Sequence, residues 1–336
     1  MRQARRPSTA RGLALLLPYP ALSAVVDVYA GHGEQTLDPA VVAAVAFTLT
    51  VTVFAVLGAT ARATYSPGGR GGPPPGPVRT LRAHPADVLA INISTALTWI
   101  SLLYALKFLE PAVVNAVSLA IGPAVTAMAS PVLRRGTHVL GAEAGVSATV
   151  LAVIVLLCWG SVSGLTSIGH VGLGRASAGL AATLLSGLGS AGTFIYAKRL
   201  SEAGVSPVSA LSSRFYLTAG ASWVIAVADH LPRLAASLVP GAVVAVIGVA
   251  TPAYLLQLGV RHTEPITISL LDNLAPLLTY LLQLLDGRLR PSAFSLLGIL
   301  TITCLIGAGV SVRARHDATT ATADGTVGAS SRGART

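Results

Sequence analysis

Long apolar segments alternate with short polar connections along the chain, and this pattern predicts the secondary structure. A helix needs about 20 mainly apolar residues to cross the hydrocarbon core of a bilayer. Ten segments reach that length, with approximate bounds of 12–30, 39–61, 87–108, 111–132, 138–159, 177–198, 207–229, 236–259, 264–285 and 291–312. Backbone groups inside a bilayer must satisfy their own hydrogen bonds, and the short alternating segments of a membrane barrel are missing from the sequence. The pattern therefore predicts an all-α membrane protein with ten transmembrane helices.

The polar stretches between and beyond these spans divide the chain into units. The residues around 66–85 and 313–336 are rich in Gly, Pro, Ser and Thr, which is typical of disorder. We expect a basic cytoplasmic N-terminus at 1–11, a first five-helix repeat at 12–159 that includes a disordered cytoplasmic loop at 66–85, a second five-helix repeat at 177–312, and a disordered cytoplasmic tail at 313–336.

Composition and charge support a membrane protein and predict its orientation. Only 11% of the residues are charged, whereas soluble domains carry roughly 25%. The net charge of +10 does not indicate nucleic-acid binding, because the basic residues do not cluster with aromatic residues. If the N-terminus is cytoplasmic, 18 of the 23 Arg and Lys residues fall on the cytoplasmic side. This bias predicts a plasma-membrane protein with both termini in the cytoplasm.

Two segments in opposite halves of the chain resemble each other. Lys107 stands three positions before Glu110-Pro111, and Arg261 stands three positions before a second Glu-Pro pair, 154 residues after the first. Each pair leads into an apolar helix. Five predicted spans separate the copies, so the second copy is expected to be inverted in the membrane. Inverted repeats are typical of secondary transporters that work by alternating access.

Polar residues inside the predicted fourth and ninth spans share one helix face. Asn115 and Ser118 follow Pro111 at offsets 4 and 7, and Ser269 and Asp272 follow the second Glu-Pro proline at the same offsets. An aspartate in hydrocarbon costs about 2.5–3.5 kcal/mol. We therefore expect Asp272 to face a partly wet cavity and to be the proton-coupling residue. Alternatively, Asp272 only hydrogen-bonds a neighbouring helix.

Other polar and aromatic residues of the spans are candidates for substrate binding. Aromatic residues with polar tips offer apolar contact area together with a hydrogen bond, and amides or hydroxyls add further hydrogen bonds. The candidates are Trp99, Tyr104, Asn115, Ser118, Tyr254, Gln257 and Asn273. Asp27 lies near the outer end of the first span, where its carboxylate can reach the membrane interface.

A membrane enzyme is the main alternative class, but the sequence offers little catalytic chemistry. It contains neither the HExxH pattern of zinc proteases nor the GxSxG pattern of serine hydrolases. The segment GLGSAG at 187–192 fits GxGxxG, but it lies in an apolar helix and follows no predicted strand, so close helix packing explains it better. The two cysteines form no CxxC pair. We expect no enzymatic activity, no cofactor and no metal site.

Four short motifs carry a family resemblance. ALKFLEP and LGVRHTEP precede the fourth and ninth spans, and RRGTHVLGAEAG and DGRLRPSAFSLLG precede the fifth and tenth. Together they resemble the ten-helix EamA-like branch of the drug/metabolite transporter superfamily over about residues 12–312. The resemblance implies two inverted five-helix units that transport amino acids, metabolites or drugs. Arg214 matches an arginine early in the family's seventh helix. Gly122 and Ala275 stand where the family carries a glutamate before proline, and Asp272 lies about one turn before the second of these positions.

The sequence thus predicts a secondary transporter that exports a small metabolite, amino acid or drug by alternating access with proton coupling. A gradient-independent exchanger or facilitator is the first alternative, and a non-transporting membrane scaffold or receptor is the second. The expected partners are a small-molecule substrate and the lipid bilayer, without nucleic acid. A homodimer is compatible with the sequence.

Overall fold

The computed structural model describes residues 16–33, 37–64, 75–121, 141–229, 233–259, 271–309 and 311. The predicted N-terminal segment 1–11 and the tail 313–336 lie outside these ranges. Within them, all regular secondary structure is helical. The prediction of an all-α protein is therefore confirmed for the part of the chain that the structure describes.

Thirteen α-helices are assigned within the described ranges. They are α1 Pro18–Gly33, α2 Pro39–Ala63, α3 Pro77–Ala83, α4 Pro85–Phe108, α5 Pro111–Ile121, α6 Gly141–Ser163, α7 Leu173–Glu202, α8 Pro207–Ser212, α9 Tyr216–Ala228, α10 Leu234–Val243, α11 Thr251–Gly259, α12 Ala275–Gln283 and α13 Ala293–Gly309. Proline opens six of them, because its fixed φ suits the first helical position and that position has no intrahelical N–H bond to lose.

Several of these helices have the length and apolar character of membrane spans. Four helical segments could cross a bilayer by length and composition: Pro39–Ala63, Pro85–Phe108, Leu173–Glu202 and Leu234–Gln257. Three further apolar helices are shorter: Pro111–Ile121, Ala148–Ser163 and Ala293–Gly309. These lengths agree with a membrane-embedded protein. The total of ten spans remains a prediction, since parts of the predicted spans 111–132, 138–159 and 264–285 lie outside the described residues.

The predicted seventh span, 207–229, is interrupted between α8 and α9. At the interruption, the Asn92 side chain of α4 takes over two backbone hydrogen bonds. Its Nδ2 donates to the Ser213 carbonyl at 2.7 Å, and its Oδ1 accepts the Leu217 N–H at 3.2 Å. A tertiary contact therefore stabilises a break that the apolar pattern of the segment does not reveal.

The predicted ninth span is also discontinuous. Its helical structure breaks directly after Asp272, and α12 begins at Ala275. Pro276 stands in the first turn of α12 and has no N–H to continue a helix from the preceding turn. The Leu274 N–H instead closes a tight turn onto the Leu271 carbonyl at 3.1 Å. In membrane transporters, helix breaks of this kind accompany binding sites near the midplane.

Part of the loop that the sequence assigns to disorder is helical. α3 lies within 66–85, whereas residues 65–74 are outside the described ranges. Pro77 opens α3, and its Thr80 is buried. Composition alone cannot anticipate this short helix, because a single buried side chain anchors it against the bundle.

A π-helix, Val244–Ala250, joins α10 to α11 within one continuous helical segment. The Thr251 N–H donates to the Val246 carbonyl, five residues back, and Pro252 has no N–H to restore the ordinary spacing. A π turn shifts the face on which all later residues lie. The side chains of α11 consequently do not lie on the faces that an uninterrupted α-helical period predicts from the sequence.

Two large hydrophobic clusters form most of the core among the described residues. The first joins α1, α2 and α4 to the π-helix segment, and Phe215 stacks in it against Phe47 and Phe54 with ring centroids 5.9 and 5.7 Å apart. The second joins α5, α6, α12 and α13 through residues such as Leu157 and Tyr280. The bundle therefore contains two packed groups of helices. α1 belongs to the first group and also contacts α12 of the second.

The GLGSAG segment of α7 allows close helix packing, as the sequence predicts. A Cβ atom at Gly189 would lie 2.6 Å from the backbone nitrogen of Thr98 in α4, and one at Gly187 would lie 2.7 Å from the Ser118 carbonyl oxygen in α5. Any larger residue would push these helices apart. The motif thus serves helix contact between α7 and its neighbours.

Candidate functional site

Asp27 of α1 is buried among three helices. It is only 3% exposed, and its carboxylate accepts a hydrogen bond from Asn115 Nδ2 of α5. The same amide nitrogen lies 3.5 Å from Thr279 Oγ1 of α12. The sequence suggested that Asp27 reaches the membrane interface, but the structure places it inside the bundle, where α1 meets α5 and α12.

A second carboxylate lies next to this contact. Asp272, at the break before α12, accepts a hydrogen bond from the hydroxyl of Tyr19 on α1. Asp27 and Asp272 are close enough to interact electrostatically. We call Tyr19, Asp27, Asn115, Asp272 and Thr279 the central polar set.

Arg214 lies beside the central polar set, at the interruption between α8 and α9. Its Nε donates to Thr95 Oγ1 of α4 at 2.9 Å, and its guanidinium lies 5.1 Å from the centre of the Phe215 ring. It also interacts electrostatically with Tyr19. Within the described ranges, neither Asp27 nor Asp272 forms an ion pair with it. The site therefore combines two carboxylates and one cation that remain separate from one another.

Asn273 follows Asp272 but faces another helix. Its Nδ2 donates to the Thr303 carbonyl of α13 at 2.7 Å, and its buried Oδ1 has no hydrogen-bond partner among the described residues. The amide therefore anchors the break before α12 to α13. A buried oxygen without a partner is uncommon, because its burial is costly.

Glu110, just before α5, is the centre of a second buried cluster. Its Oε2 accepts the Ser167 N–H at 2.9 Å and the Ser295 hydroxyl at 2.7 Å. Its Oε1 accepts the Ser167 hydroxyl at 3.0 Å and a hydrogen bond from Gln283 Nε2. We call Glu110, Ser167, Gln283 and Ser295 the Glu110 cluster. The carboxylate is 0% exposed, and all four bonds come from neutral donors.

The Glu110 cluster ties together segments that are far apart in sequence. Ser167 lies in the loop after α6, Gln283 ends α12, and Ser295 lies in the first turn of α13. Gln283 also binds back to α5, because its Oε1 accepts the Ala112 N–H at 3.2 Å. These contacts fix α12 relative to α5 at the end of the bundle where the Glu-Pro pair lies.

An ionic cluster lies at the same end, in the connection after α12. Arg288 Nη2 lies 2.5 Å from Asp286 Oδ2, His32 Nδ1 lies 3.4 Å from the same oxygen, and Arg288 Nη1 donates to the His32 carbonyl at 3.3 Å. The hydrogen bonds from Arg288 lower the pKa of Asp286 to about 2. The stabilisation from this carboxylate is present above its ordinary pKa and is lost only as the pH falls towards 2.

The structure brings some of the predicted site residues together and separates others. Asn115 and Asp272 meet through α1, in the central polar set. Ser118 instead lies 3.4 Å from the Thr183 carbonyl of α7, and Trp99 packs edge-on against Phe47 at 5.6 Å. Tyr104 and Gln257 are half-buried, and Tyr254 is 38% exposed, on the helix that follows the π turn.

Three residues of the site were not among those that the sequence pattern selected for it. Tyr19 and Asp27 sit on α1, and neither matches the repeat that drew attention to the fourth and ninth spans. In the sequence pattern Glu110 belongs only to a repeated Glu-Pro dipeptide. The sequence signal for Asp27 is a carboxylate inside an apolar segment, which is rare in membrane helices and typically functional.

Comparison with known proteins supports the family resemblance. The model of the EamA-like transporter family matches residues 177–311, which confirms the resemblance to the drug/metabolite transporter superfamily. Transporters of this family are generally not enzymes. A solved structure described as "Crystal structure of protein" is similar with a TM-score of 0.55 and 17% identity, over 89% of this chain and 96% of that chain. At this identity the likeness concerns the fold alone. No curated protein matches the chain.

Proposed function

We propose that this chain, whose residues 177–311 match the EamA-like transporter family, is a proton-coupled secondary transporter of the plasma membrane. It exports a small metabolite, amino acid or drug by alternating access, with ten spans in two inverted five-helix repeats and both termini in the cytoplasm. The central polar set is the observation that carries the proposal. Buried carboxylates in a membrane bundle are costly, and they typically mark ion or substrate pathways.

Contacts between α5 and α12 support the inverted arrangement. Ala112 of α5 meets Gln283 of α12, and Asn115 meets Thr279. Residue numbers rise along one helix while they fall along the other, so the two helices run in opposite directions. The pseudo-symmetry axis of an inverted repeat would pass between such a pair.

The charges of the site suggest how the transporter works. Asp272 sits between Tyr19, which stabilises its charged form by a hydrogen bond, and the break before α12. A proton taken up by Asp272 from one side and released to the other would couple the reorientation to a proton gradient. Arg214 supplies a positive charge for an anionic group of the substrate, and Asp27 supplies a negative charge for a cationic group.

The Glu110 cluster and the contact between His32 and Asp286 lie at the end that the charge bias predicts to be external. Together they join α1, α5, α12 and α13 at this end. Opening towards the outside would have to carry the Glu110 cluster as one unit, because separating its members would leave a buried carboxylate without donors. The contact between α1 and the connection after α12 is weaker, because the His32 side chain that forms it is exposed. We therefore propose that this contact breaks and that α1 moves relative to α5, α12 and α13.

Transport by the purified protein tests this proposal. In vesicles that contain the protein, candidate substrates should accumulate against their gradient only when a pH gradient is imposed. Movement that equilibrates without the pH gradient would instead favour the exchanger or facilitator. A scaffold or receptor would give neither accumulation nor equilibration above protein-free vesicles.

Cysteine labelling tests the orientation. In a protein with Cys158 and Cys304 replaced by serine, single cysteines at Gly33 and Ala235 should react with an impermeant thiol reagent in intact cells. Cysteines at two predicted cytoplasmic positions, Gly72 and Gly325, should react only after the membrane is permeabilised. Labelling of position 72 in intact cells would contradict the proposed orientation.

A further inference from the structure

A cavity of about 650 Å³ lies beside the Glu110 cluster and outside the central polar set. The loop Gly164–Gly169 after α6 forms one wall, and Arg288, Arg290 and the first turn of α13 form the other. The two walls are tied together, since the Arg290 N–H donates to the Ser167 carbonyl at 3.0 Å. The cavity thus lies between two connecting segments that are held together by a hydrogen bond.

The charged side chains that line this cavity are two arginines, Arg288 and Arg290. Arg290 is exposed, and its guanidinium has no ion pair or hydrogen bond with any residue in the described ranges. Arg288 is paired with Asp286, which offsets its charge. No carboxylate lines the cavity in the part of the chain that the structure describes. The Glu110 carboxylate lies behind Ser167, where it is buried and accepts four hydrogen bonds. The walls therefore attract an anion through Arg290.

Two further features of the walls point to an anionic ligand. The N-terminus of α13 lies at the cavity, where the first N–H groups of a helix have no partner within the helix. Among the described residues, one side chain caps this end: Ser292 Oγ accepts the Ser295 N–H at 3.1 Å. The Thr166 hydroxyl is a separate signal: its residue is 5% exposed, lines the cavity, and has no hydrogen-bond partner among the described residues. A buried hydroxyl without a partner is costly unless a ligand accepts a hydrogen bond from it.

Aromatic residues place the cavity at the depth of the lipid headgroups. Phe294 lines it and packs edge-on against Trp159, with ring centroids 6.4 Å apart. Trp159 is 56% exposed on the outer surface of the bundle. Exposed tryptophans of membrane proteins concentrate at the interface between hydrocarbon and water.

We propose that this cavity binds a phosphate group at the membrane surface, supplied by the headgroup of an anionic phospholipid. Arg290 forms a charge-assisted hydrogen bond to the phosphate, the Thr166 hydroxyl donates a second, and the free N–H groups of α13 face its negative charge. Free inorganic phosphate has the same chemistry and is the other source. The proposal concerns binding and is independent of transport.

Binding measurements on the full chain in a phosphate-free maltoside detergent test the proposal. Phosphatidylglycerol and inorganic phosphate are titrated separately, and bound lipid is counted by native mass spectrometry while thermal unfolding reports either ligand. The variants are Arg290→Gln and Thr166→Val. Arg175→Gln is the matched control, because Arg175 is also an exposed arginine near a helix start but does not line the cavity.

One tightly retained phosphatidylglycerol is expected for the unmodified protein. Its affinity should fall about tenfold in Arg290→Gln, fall in Thr166→Val, and stay unchanged in Arg175→Gln. If inorganic phosphate stabilises the protein, phosphatidylglycerol does not, and both variants lose the effect, the phosphate site is supported and its ligand is the free anion. Retention that is equal in Arg290→Gln and the unmodified protein, or no binding of either ligand, would overturn the proposal.

Discussion

Replacing Asp272 by asparagine is expected to abolish uphill transport while the protein stays folded and exchanges substrate. Asparagine keeps the shape of the side chain and can still accept the Tyr19 hydrogen bond, but it cannot take up a proton. A gradient of one pH unit supplies about 1.4 kcal/mol per proton, which sustains about tenfold accumulation. Vesicles with the unmodified protein should approach that ratio, and vesicles with Asp272→Asn should remain near equality.

Glu202→Gln is the matched control for this experiment. It removes a carboxylate at the C-terminal end of α7, outside the central polar set, where Glu202 is exposed and paired with Lys198 at 3.8 Å. Coupling should persist in this variant. If Asp272→Asn accumulates substrate with the pH dependence of the unmodified protein, Asp272 is a structural residue and the proton-coupling proposal is wrong.

Glu110→Gln is expected to lower the free energy of unfolding by about 3 kcal/mol, as is typical when a buried charged hydrogen-bond network is broken. Glutamine replaces one acceptor oxygen by an NH₂ group, and that group would face Ser167, Gln283 or Ser295, all of which donate to Glu110. Two donors then point at each other. Thermal unfolding in detergent should show a clear decrease in midpoint.

A second substitution tests whether the hydrogen bond itself is responsible. The double variant Glu110→Gln with Gln283→Glu restores an amide–carboxylate pair between α5 and α12 and should recover part of the lost stability. Glu202→Gln is the control, because Glu202 is exposed in a pair with Lys198 at 3.8 Å and should change stability by less than about 1 kcal/mol. Equal midpoints for Glu110→Gln and Glu202→Gln would show that the Glu110 cluster contributes little.

The Glu110 cluster and the central polar set constrain opposite ends of α12. Gln283 holds the C-terminal end of α12 to α5, whereas the break before Ala275 leaves Asp272 in contact with α1. A helix that is fixed at one end and interrupted at the other can change its contacts at the interrupted end alone. The expected effects follow this division, with stability depending on Glu110 and coupling on Asp272.

The sequence predicted the helices well where local composition dominates. α4 and α7 begin and end within a few residues of the segments read from apolar length, apart from polar extensions of α7. The close packing of GLGSAG was also predicted, because small residues within an apolar helix have few other uses. These features depend on residues near each other in the chain.

The interruptions of the helices could not be predicted in the same way. The break between α8 and α9 depends on the Asn92 side chain, which lies more than a hundred residues earlier and supplies the missing hydrogen bonds. The π-helix before α11 alters the face on which Tyr254 lies, so its exposure does not follow the ordinary helical period. In both cases the apolar pattern is continuous while the hydrogen bonding is not.

The sequence by itself determined that this is an apolar helical protein that resembles a transporter superfamily, and that Asp272 is chemically out of place in its segment. Only the tertiary structure decided that Asp27 and Tyr19 join it, and that Glu110 gathers four donor groups from three distant segments. The cost of burying a carboxylate can be recognised from the sequence, because a single charged residue stands out within an apolar segment. The partners that compensate this cost come from other helices, and only the packing of those helices brings them into contact.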